Sequence, residues 1–121
     1  MPKLVAITIY VDDLDQARQF YCDKLGYDVA YTLENVIALN NDGVYIVLEK
    51  TKSKNRSKYP DSAQIVLGLE TENLEKMSEV LGKLGVRFVH EKPQDFPRGR
   101  FIGIYDPAGN VIEILEFNKD E

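Results

Sequence analysis

Residues 101–117 read FIGIYDPAGNVIEILEF, two apolar runs on either side of a turn-forming segment. The runs at residues 100–105 and 111–117 are rich in the β-branched and aromatic residues that strands favour. Between them, residues 106–110 combine Asp, Pro, Gly and Asn, which suit the backbone angles of tight turns. We therefore predict two strands joined by a tight turn near the end of the chain.

The N-terminal half predicts the order strand, helix, strand, strand, strand. Over residues 5–11 aliphatic side chains alternate with other types, as in a strand with one buried face. A helix is predicted to begin at Asp13, whose carboxylate can cap it, and to end before Gly26, which suits a left-handed residue. Three strands follow at residues 28–33, 36–40 and 44–49, and the Asp-Gly pair at 42–43 predicts a hairpin turn between the last two.

The second half repeats this order after a polar segment. Residues 50–61 are rich in Lys and Arg and form either a solvated connection or a mobile flap that attracts an anion. A strand is then predicted at 64–69, a helix at 74–84 capped by Asn73, and strands at 86–92, 100–105 and 111–117. We predict one α+β domain of residues 1–121, with βαβββ modules at about 1–50 and 62–121 and a linker at about 51–61.

Length and charge restrict the classes of function. The chain has 121 residues, 44% of them hydrophobic, and a formal net charge of −5. A negative surface repels phosphate backbones, so we expect no nucleic-acid partner. No apolar run approaches membrane-spanning length and no targeting segment is visible, so we expect a cytoplasmic protein with no membrane partner. Cys22 is the only cysteine, which excludes an internal disulfide.

Two motifs resemble the vicinal-oxygen-chelate superfamily of glyoxalases, bleomycin-resistance proteins and dioxygenases. Residues 9–15 (IYVDDLD), followed by Phe20-Tyr21 and Leu25-Gly26, are similar to the start of these domains, and residues 101–113 are similar to their closing signature. Residues 64–67 fit the opening strand of a second module. The resemblance implies a cupped mixed sheet with its helices on the outer face, and pairing of chains as a homodimer.

The resemblance also implies a divalent metal as the cofactor of many family members. It places the four ligand positions at Ala6, Val47, Gln64 and Glu113. The first two of these residues have no donor atom, so Gln64 and Glu113 are the predicted metal ligands. An offset of two residues in the hairpin would add Glu49 as a third ligand, since residues two apart in a strand share a face. The predicted metal site is therefore incomplete.

Glu113 is the predicted catalytic residue, because it interrupts an apolar strand in which a carboxylate needs a partner. It serves there as a metal ligand or a general base, or else lies at the wet mouth of the cup. The predicted ligand-binding residues carry hydroxyl, amide or guanidinium groups: Thr8, Tyr10, Tyr45, Gln64, Arg100 and Tyr105. Core or dimer packing explains the first three equally well, and surface solvation explains the arginine.

Three functions remain open. The first is the binding of a small organic molecule, a cationic drug included, without a complete catalytic metal site, as in bleomycin-resistance-type proteins. The second is a metal-dependent lyase or isomerase resembling lactoylglutathione lyase, with Glu113 and Gln64 as ligands. A dioxygenase is disfavoured because His90 is the only histidine, and it does not occupy a ligand position of the family. The third is a regulatory or interaction module, since fold alone does not define function.

Overall fold

The fold is described from a computed structural model for residues 1–63 and 65–119. The chain separates into two compact units. The first contains Met1–Asn55 with Pro107–Asn110, and the second contains Arg56–Asp106 with the residues from Val111 onward. The border near residue 55 falls inside the predicted linker. The assignment of both units to one domain stays a prediction.

Four strands form the sheet of the first unit. The first strand is parallel to the last, and the two middle strands continue the sheet in antiparallel pairs. The turn before the last strand has positive φ at Asp42 (47°) and Gly43 (87°), as the Asp-Gly pair predicted. In spatial order the strands are β1 (Ala6–Val11), β4 (Tyr45–Lys50), β3 (Val36–Leu39) and β2 (Val29–Leu33).

The predicted first helix consists of two different pieces. The α-helix α1 covers only Leu14–Arg18, and Gln19–Lys24 form a wider π-helical turn. Asp13 caps α1 as predicted, because its Oδ1 accepts a hydrogen bond from the N–H of Gln16 at 3.0 Å. Gly26 ends the helical segment with φ of 89°, a left-handed conformation that other residues adopt only with strain.

The second unit repeats the topology of the first and adds one short strand. The first strand is again parallel to the last, which confirms the predicted α+β repeat. In spatial order the main strands are β5, β9, β8 and β6, and β7 also pairs with β8. Their bounds are β5 (Leu67–Glu70), β6 (Arg87–Phe88), β7 (Gln94–Phe96), β8 (Gly99–Tyr105) and β9 (Val111–Phe117), while α2 covers Leu74–Lys83.

Two of the predicted strands were too long. The segment 86–92 contains only β6, because the chain leaves the ladder after the N–H of Val89 bonds the carbonyl of Gly103 at 2.8 Å. It returns to the edge of β8 as β7, which sequence analysis did not predict. The strand predicted at 64–69 begins at Leu67.

Each sheet has an apolar face and an open face. In the second unit the apolar face lies under α2, whose Leu74 and Leu81 are buried. Burial of one such side chain contributes about 1.5–3 kcal/mol. The facing residues of β8 and β9 are at most 3% exposed: Ile102, Ile104, Ile112 and Ile114. The alternate residues of each strand lie on the other side, called here the open face.

No helix within residues 1–63 and 65–119 is long and apolar enough to cross a membrane.

Two side chains hold the N-terminus of α2. Asn73 accepts a hydrogen bond from the N–H of Lys76 at 3.0 Å, as its predicted capping role requires. Glu116 of β9 accepts a hydrogen bond from the N–H of Leu74 at 2.8 Å and another from Arg100 at 3.1 Å. The Leu74 N–H, followed by the Arg100 guanidinium, lowers the pKa of Glu116. The ionised carboxylate therefore ties β9 to the start of the helix.

Replacing Glu116 with Ala should lower the free energy of unfolding by about 1 kcal/mol at neutral pH, the typical value of a lost helix cap. The pKa of Glu116 is lower in the folded chain than in the unfolded chain. Its contribution is therefore present above the ordinary glutamate pKa of about 4.3 and is lost as the pH falls through the folded pKa. In urea unfolding at a series of pH values, the difference in unfolding free energy between the variant and wild type should become smaller as the pH falls.

The control is Glu72→Ala, at an exposed glutamate near the same helix end. A loss of stability in Glu72→Ala equal to that in Glu116→Ala, or a difference that does not change with pH, would contradict this assignment.

Candidate functional site

Glu113 lies at the centre of the open face of the second sheet. Its partner in β5 is Gly68 and its partner in β8 is Gly103, so neither neighbouring strand places a side chain beside it. The space next to Gly68 is filled by Leu115, because a Cβ on Gly68 would lie 2.9 Å from Leu115 Cδ1. Glu113 is half-buried. A carboxylate in this position needs a hydrogen-bond donor to replace water.

Tyr59 supplies that donor. Its hydroxyl donates a hydrogen bond to Oε2 of Glu113. Burial, followed by the hydrogen bond and the charge of Glu113, raises the pKa of Tyr59, so its phenol stays neutral and remains a donor. Sequence analysis did not find Tyr59, because the polar segment around it has no strand or helix period. The one available signal was an aromatic residue within a basic, polar stretch.

His90 lies at the edge of β8 beside this pair. The N–H of Gly103 donates a hydrogen bond to Nδ1 of His90 at 3.0 Å, so the neutral ring carries its proton on Nε2. The ring of His90 thereby replaces the backbone carbonyl that would accept this N–H if the pairing of β6 with β8 continued. A Cβ on Gly103 would lie 3.0 Å from Val89 Cβ and 3.3 Å from His90 Cε1, so any larger residue would have to displace these neighbours slightly. The histidine is half-buried and has a structural partner.

A row of five rings runs beside Glu113. Successive ring centroids along the row are 5.5 to 6.1 Å apart, the usual range for aromatic pairs. The most exposed residue of the row is Phe117, which is 44% exposed. The row therefore offers an apolar surface with polar groups at one end. In order it contains Tyr59, His90, Phe101, Phe96 and Phe117.

The structure places Tyr105 and Arg100 on opposite faces of the second sheet. Tyr105 shares the open face with Glu113, and the guanidinium of Arg87 lies 4.8 Å from the centre of its ring. Arg100 faces α2 and forms an ion pair with Glu116. Because side chains alternate along β8, Arg100 cannot reach a ligand beside Glu113 on the open face. Gln64, the other predicted ligand-binding residue of this unit, lies outside the described residues.

The predicted residues of the first unit share the open face of the first sheet. Thr8 and Tyr10 on β1 lie opposite Val47 and Glu49 on β4, and Ala6 lies opposite Tyr45. The rings of Tyr31 and Tyr45 meet edge to face with centroids 5.8 Å apart. Tyr10 and Tyr45 are 56% and 42% exposed, so these hydroxyl groups are accessible.

The strand register identifies Glu49 as the counterpart of Glu113. Gly68 is four residues after Gln64 and lies opposite Glu113. Tyr10 is four residues after Ala6 and lies opposite Glu49. The position that the resemblance placed at Val47 therefore corresponds in register to Glu49, two residues further along β4.

The described donor groups do not fit a tight metal centre. Across residues 1–63 and 65–119, no three His, Cys, Asp or Glu side chains come together in a group that could hold a metal ion. Ala6 has no donor atom, Glu113 is bonded to Tyr59, and Nδ1 of His90 accepts the Gly103 N–H. Among the described residues, this face offers the carboxylate of Glu113, the phenol of Tyr59 and the imidazole of His90.

Comparison with solved structures shows the same fold at low sequence identity. A glyoxalase/bleomycin resistance protein/dioxygenase from Alicyclobacillus acidocaldarius matches with a TM-score of 0.78 and 20% identity, covering 98% of this chain and 93% of that one. The antibiotic binding protein TnmS3 from Streptomyces sp. CB03234 matches with a TM-score of 0.75 and 20% identity, covering 98% of each chain. A lactoylglutathione lyase from Agrobacterium tumefaciens matches with a TM-score of 0.75 and 21% identity, covering 94% of this chain and 92% of that one.

A search of the curated proteins gave no match. The sequence model of the Glyoxalase/Bleomycin resistance protein/Dioxygenase superfamily matches residues 3–114, nearly the whole chain. This match agrees with the opening and closing motifs and with the repeated βαβββ topology. The chain belongs to the glyoxalase/bleomycin resistance protein/dioxygenase superfamily.

Proposed function

We propose that this protein binds a small organic cation on the open face of its second sheet, without a complete catalytic metal site. The observation that carries the proposal is the half-buried carboxylate of Glu113, held by Tyr59 at the end of a row of aromatic rings. A carboxylate next to apolar rings is suited to a ligand that combines a positive charge with an apolar body.

The electrostatics of this face support a cation. Tyr59 bonds one oxygen of Glu113, and no hydrogen bond from the other described residues to Oε1 competes with a ligand. Aromatic faces attract cations through their quadrupole, with about 0.5–2 kcal/mol for each well-placed contact. The net charge of −5 also favours the approach of a cation over that of an anion.

The polar groups around Glu113 add specificity. The neutral phenol of Tyr59 can accept a hydrogen bond on its oxygen while it donates to Glu113. The Nε2–H of His90 is a second donor, because Nδ1 is occupied by the Gly103 N–H. An apolar surface with a few polar groups that fix orientation is typical of small-molecule sites.

Similarity to an antibiotic binding protein supports the binding of an organic molecule. TnmS3 shares the fold over 98% of both chains. At 20% identity the similarity does not carry over a ligand, so we propose the chemical class from this chain's own residues. The positive charge proposed for the ligand rests on Glu113 and the rings beside this carboxylate.

The second candidate is a metal-dependent lyase or isomerase. It is favoured by the register, which gives Glu49 and Glu113 equivalent positions on β4 and β9. The similarity to a lactoylglutathione lyase is consistent with it. In this function Glu113 and Gln64 would be ligands, and Tyr59 would have to release Glu113.

The oligomeric state and the cellular location are further proposals. We propose a homodimer, from the family resemblance, in the cytoplasm. A regulatory or interaction role would be favoured if neither a metal nor a small molecule binds.

Calorimetric titration of the chelator-stripped protein separates the two candidates. We expect no stoichiometric binding of nickel, zinc, manganese or ferrous iron, and we expect a cationic aromatic antibiotic to bind and raise the melting temperature. Glu113→Gln should weaken this binding about tenfold, which corresponds to about 1.4 kcal/mol for the lost charge interaction. Glu72→Gln, which makes the same charge change at an exposed site, should leave affinity unaltered. Stoichiometric metal binding that Glu113→Gln abolishes would overturn the proposal and favour the lyase.

The Tyr59–Glu113 hydrogen bond can be tested by Tyr59→Phe, which keeps the ring and removes the donor. The pKa of Tyr59 is raised above its ordinary value of about 10, so the stabilisation is complete below pH 10 and is lost as the pH rises through the folded pKa. We expect the variant to lose about 1–2 kcal/mol of unfolding free energy at neutral pH, the range for a hydrogen bond to a charged group that is only half-buried.

Two measurements check this prediction. In a double-mutant cycle with Glu113→Gln, the two losses should not be additive, because Glu113→Gln removes the charge that strengthens the hydrogen bond which Tyr59→Phe removes. The ultraviolet titration of the tyrosines should also lose a phenol that ionises above pH 10. Additive losses and an unchanged titration would show that Tyr59 does not hold Glu113 in solution.

A further inference from the structure

A groove of about 530 Å³ lies on the helix side of the second unit, away from the open face that carries Glu113. One wall is the face of α2 that presents Glu75, Ser78 and Glu79, which are three and four residues apart and therefore neighbours on the helix surface. The other wall is the segment between β6 and β7, which includes His90. The volume is in the range of ordinary small-molecule sites, about 300–1,000 Å³.

The interior of the groove is apolar. Phe88 and Pro93 contribute the wall opposite α2, and Ile102 of β8 contributes the floor. Ile102 is only 3% exposed, so the floor reaches the hydrophobic core of the unit. This surface is suited to the hydrocarbon part of a ligand.

The rim of the groove is negatively charged. Glu75 and Glu79 lie on the helix side and Glu91 lies on the opposite side. Glu79 also pairs with Lys83 at 3.2 Å, whereas no Lys or Arg is among the described residues that line the groove. An apolar interior between carboxylates complements a compact hydrophobic cation rather than an anion or a neutral hydrocarbon.

We propose that this groove is a second binding site for small hydrophobic ammonium compounds. The apolar body lies against Phe88, Pro93 and Ile102. The ammonium group lies between Glu75 and Glu91. The site uses the helix side of the sheet, and it shares one residue, His90, with the site proposed at Glu113.

The test uses the full chain labelled with ¹⁵N and 2-phenylethylammonium as the probe. We expect saturable changes in amide chemical shift along α2 and residues 88–93. The neutral analogue 2-phenylethanol should bind at least tenfold more weakly, because it lacks the charge. Absence of saturable shifts along α2, equal affinity for the alcohol at this groove, or shifts along α2 that Glu113→Gln abolishes would each overturn the proposal.

Variants test the contribution of charge. Glu75→Gln and Glu91→Gln should each weaken 2-phenylethylammonium binding threefold or more, whereas Glu70→Gln, an exposed site outside the groove, should not. Equal weakening by Glu70→Gln would contradict the assigned contacts.

Discussion

Both sheets depend on the parallel pairing of the first and last strands of each unit. That pairing needs a long connection, and the connection carries the helix that covers one face of the sheet. In the second unit it brings β5 beside β9, so that Glu113 lies between two strands that place glycines next to it. The buried face holds the isoleucines under α2, and the open face is left to carry polar groups. The site is a consequence of this register.

The chemistry of the open face follows from the need to satisfy a half-buried carboxylate. A ligated metal ion is one solution, and a neutral phenol is another. In this chain Tyr59 occupies that role, and its raised pKa keeps it protonated and able to donate. With aromatic rings beside it, Glu113 is suited to hold a cation by charge and by contact with the rings. The strand register gives Glu49 of the first unit the position that Glu113 has in the second.

Most of the fold was predictable because it depends on local patterns. The alternation in β1, the cap at Asp13, the Asp-Gly turn and the cap at Asn73 each require only neighbouring residues, and all four are present. Prediction was less successful between β6 and β8. There the side chain of a histidine, and not a backbone carbonyl, accepts the hydrogen bond from the Gly103 N–H. No local sequence pattern indicates such a contact.

The amino-acid sequence by itself determined the repeated module, the family and the candidacy of Glu113, because hydrophobic period, turn chemistry and a charge in an apolar strand are written in neighbouring residues. Only the tertiary structure decided which groups meet that carboxylate. Tyr59 is 54 residues away along the chain, and its contact depends on the path of a polar segment without periodicity. Arg100 is closer in sequence but faces α2, since alternation along a strand separates the two faces. Long-range contacts of this kind depend on packing between segments, which no local pattern encodes.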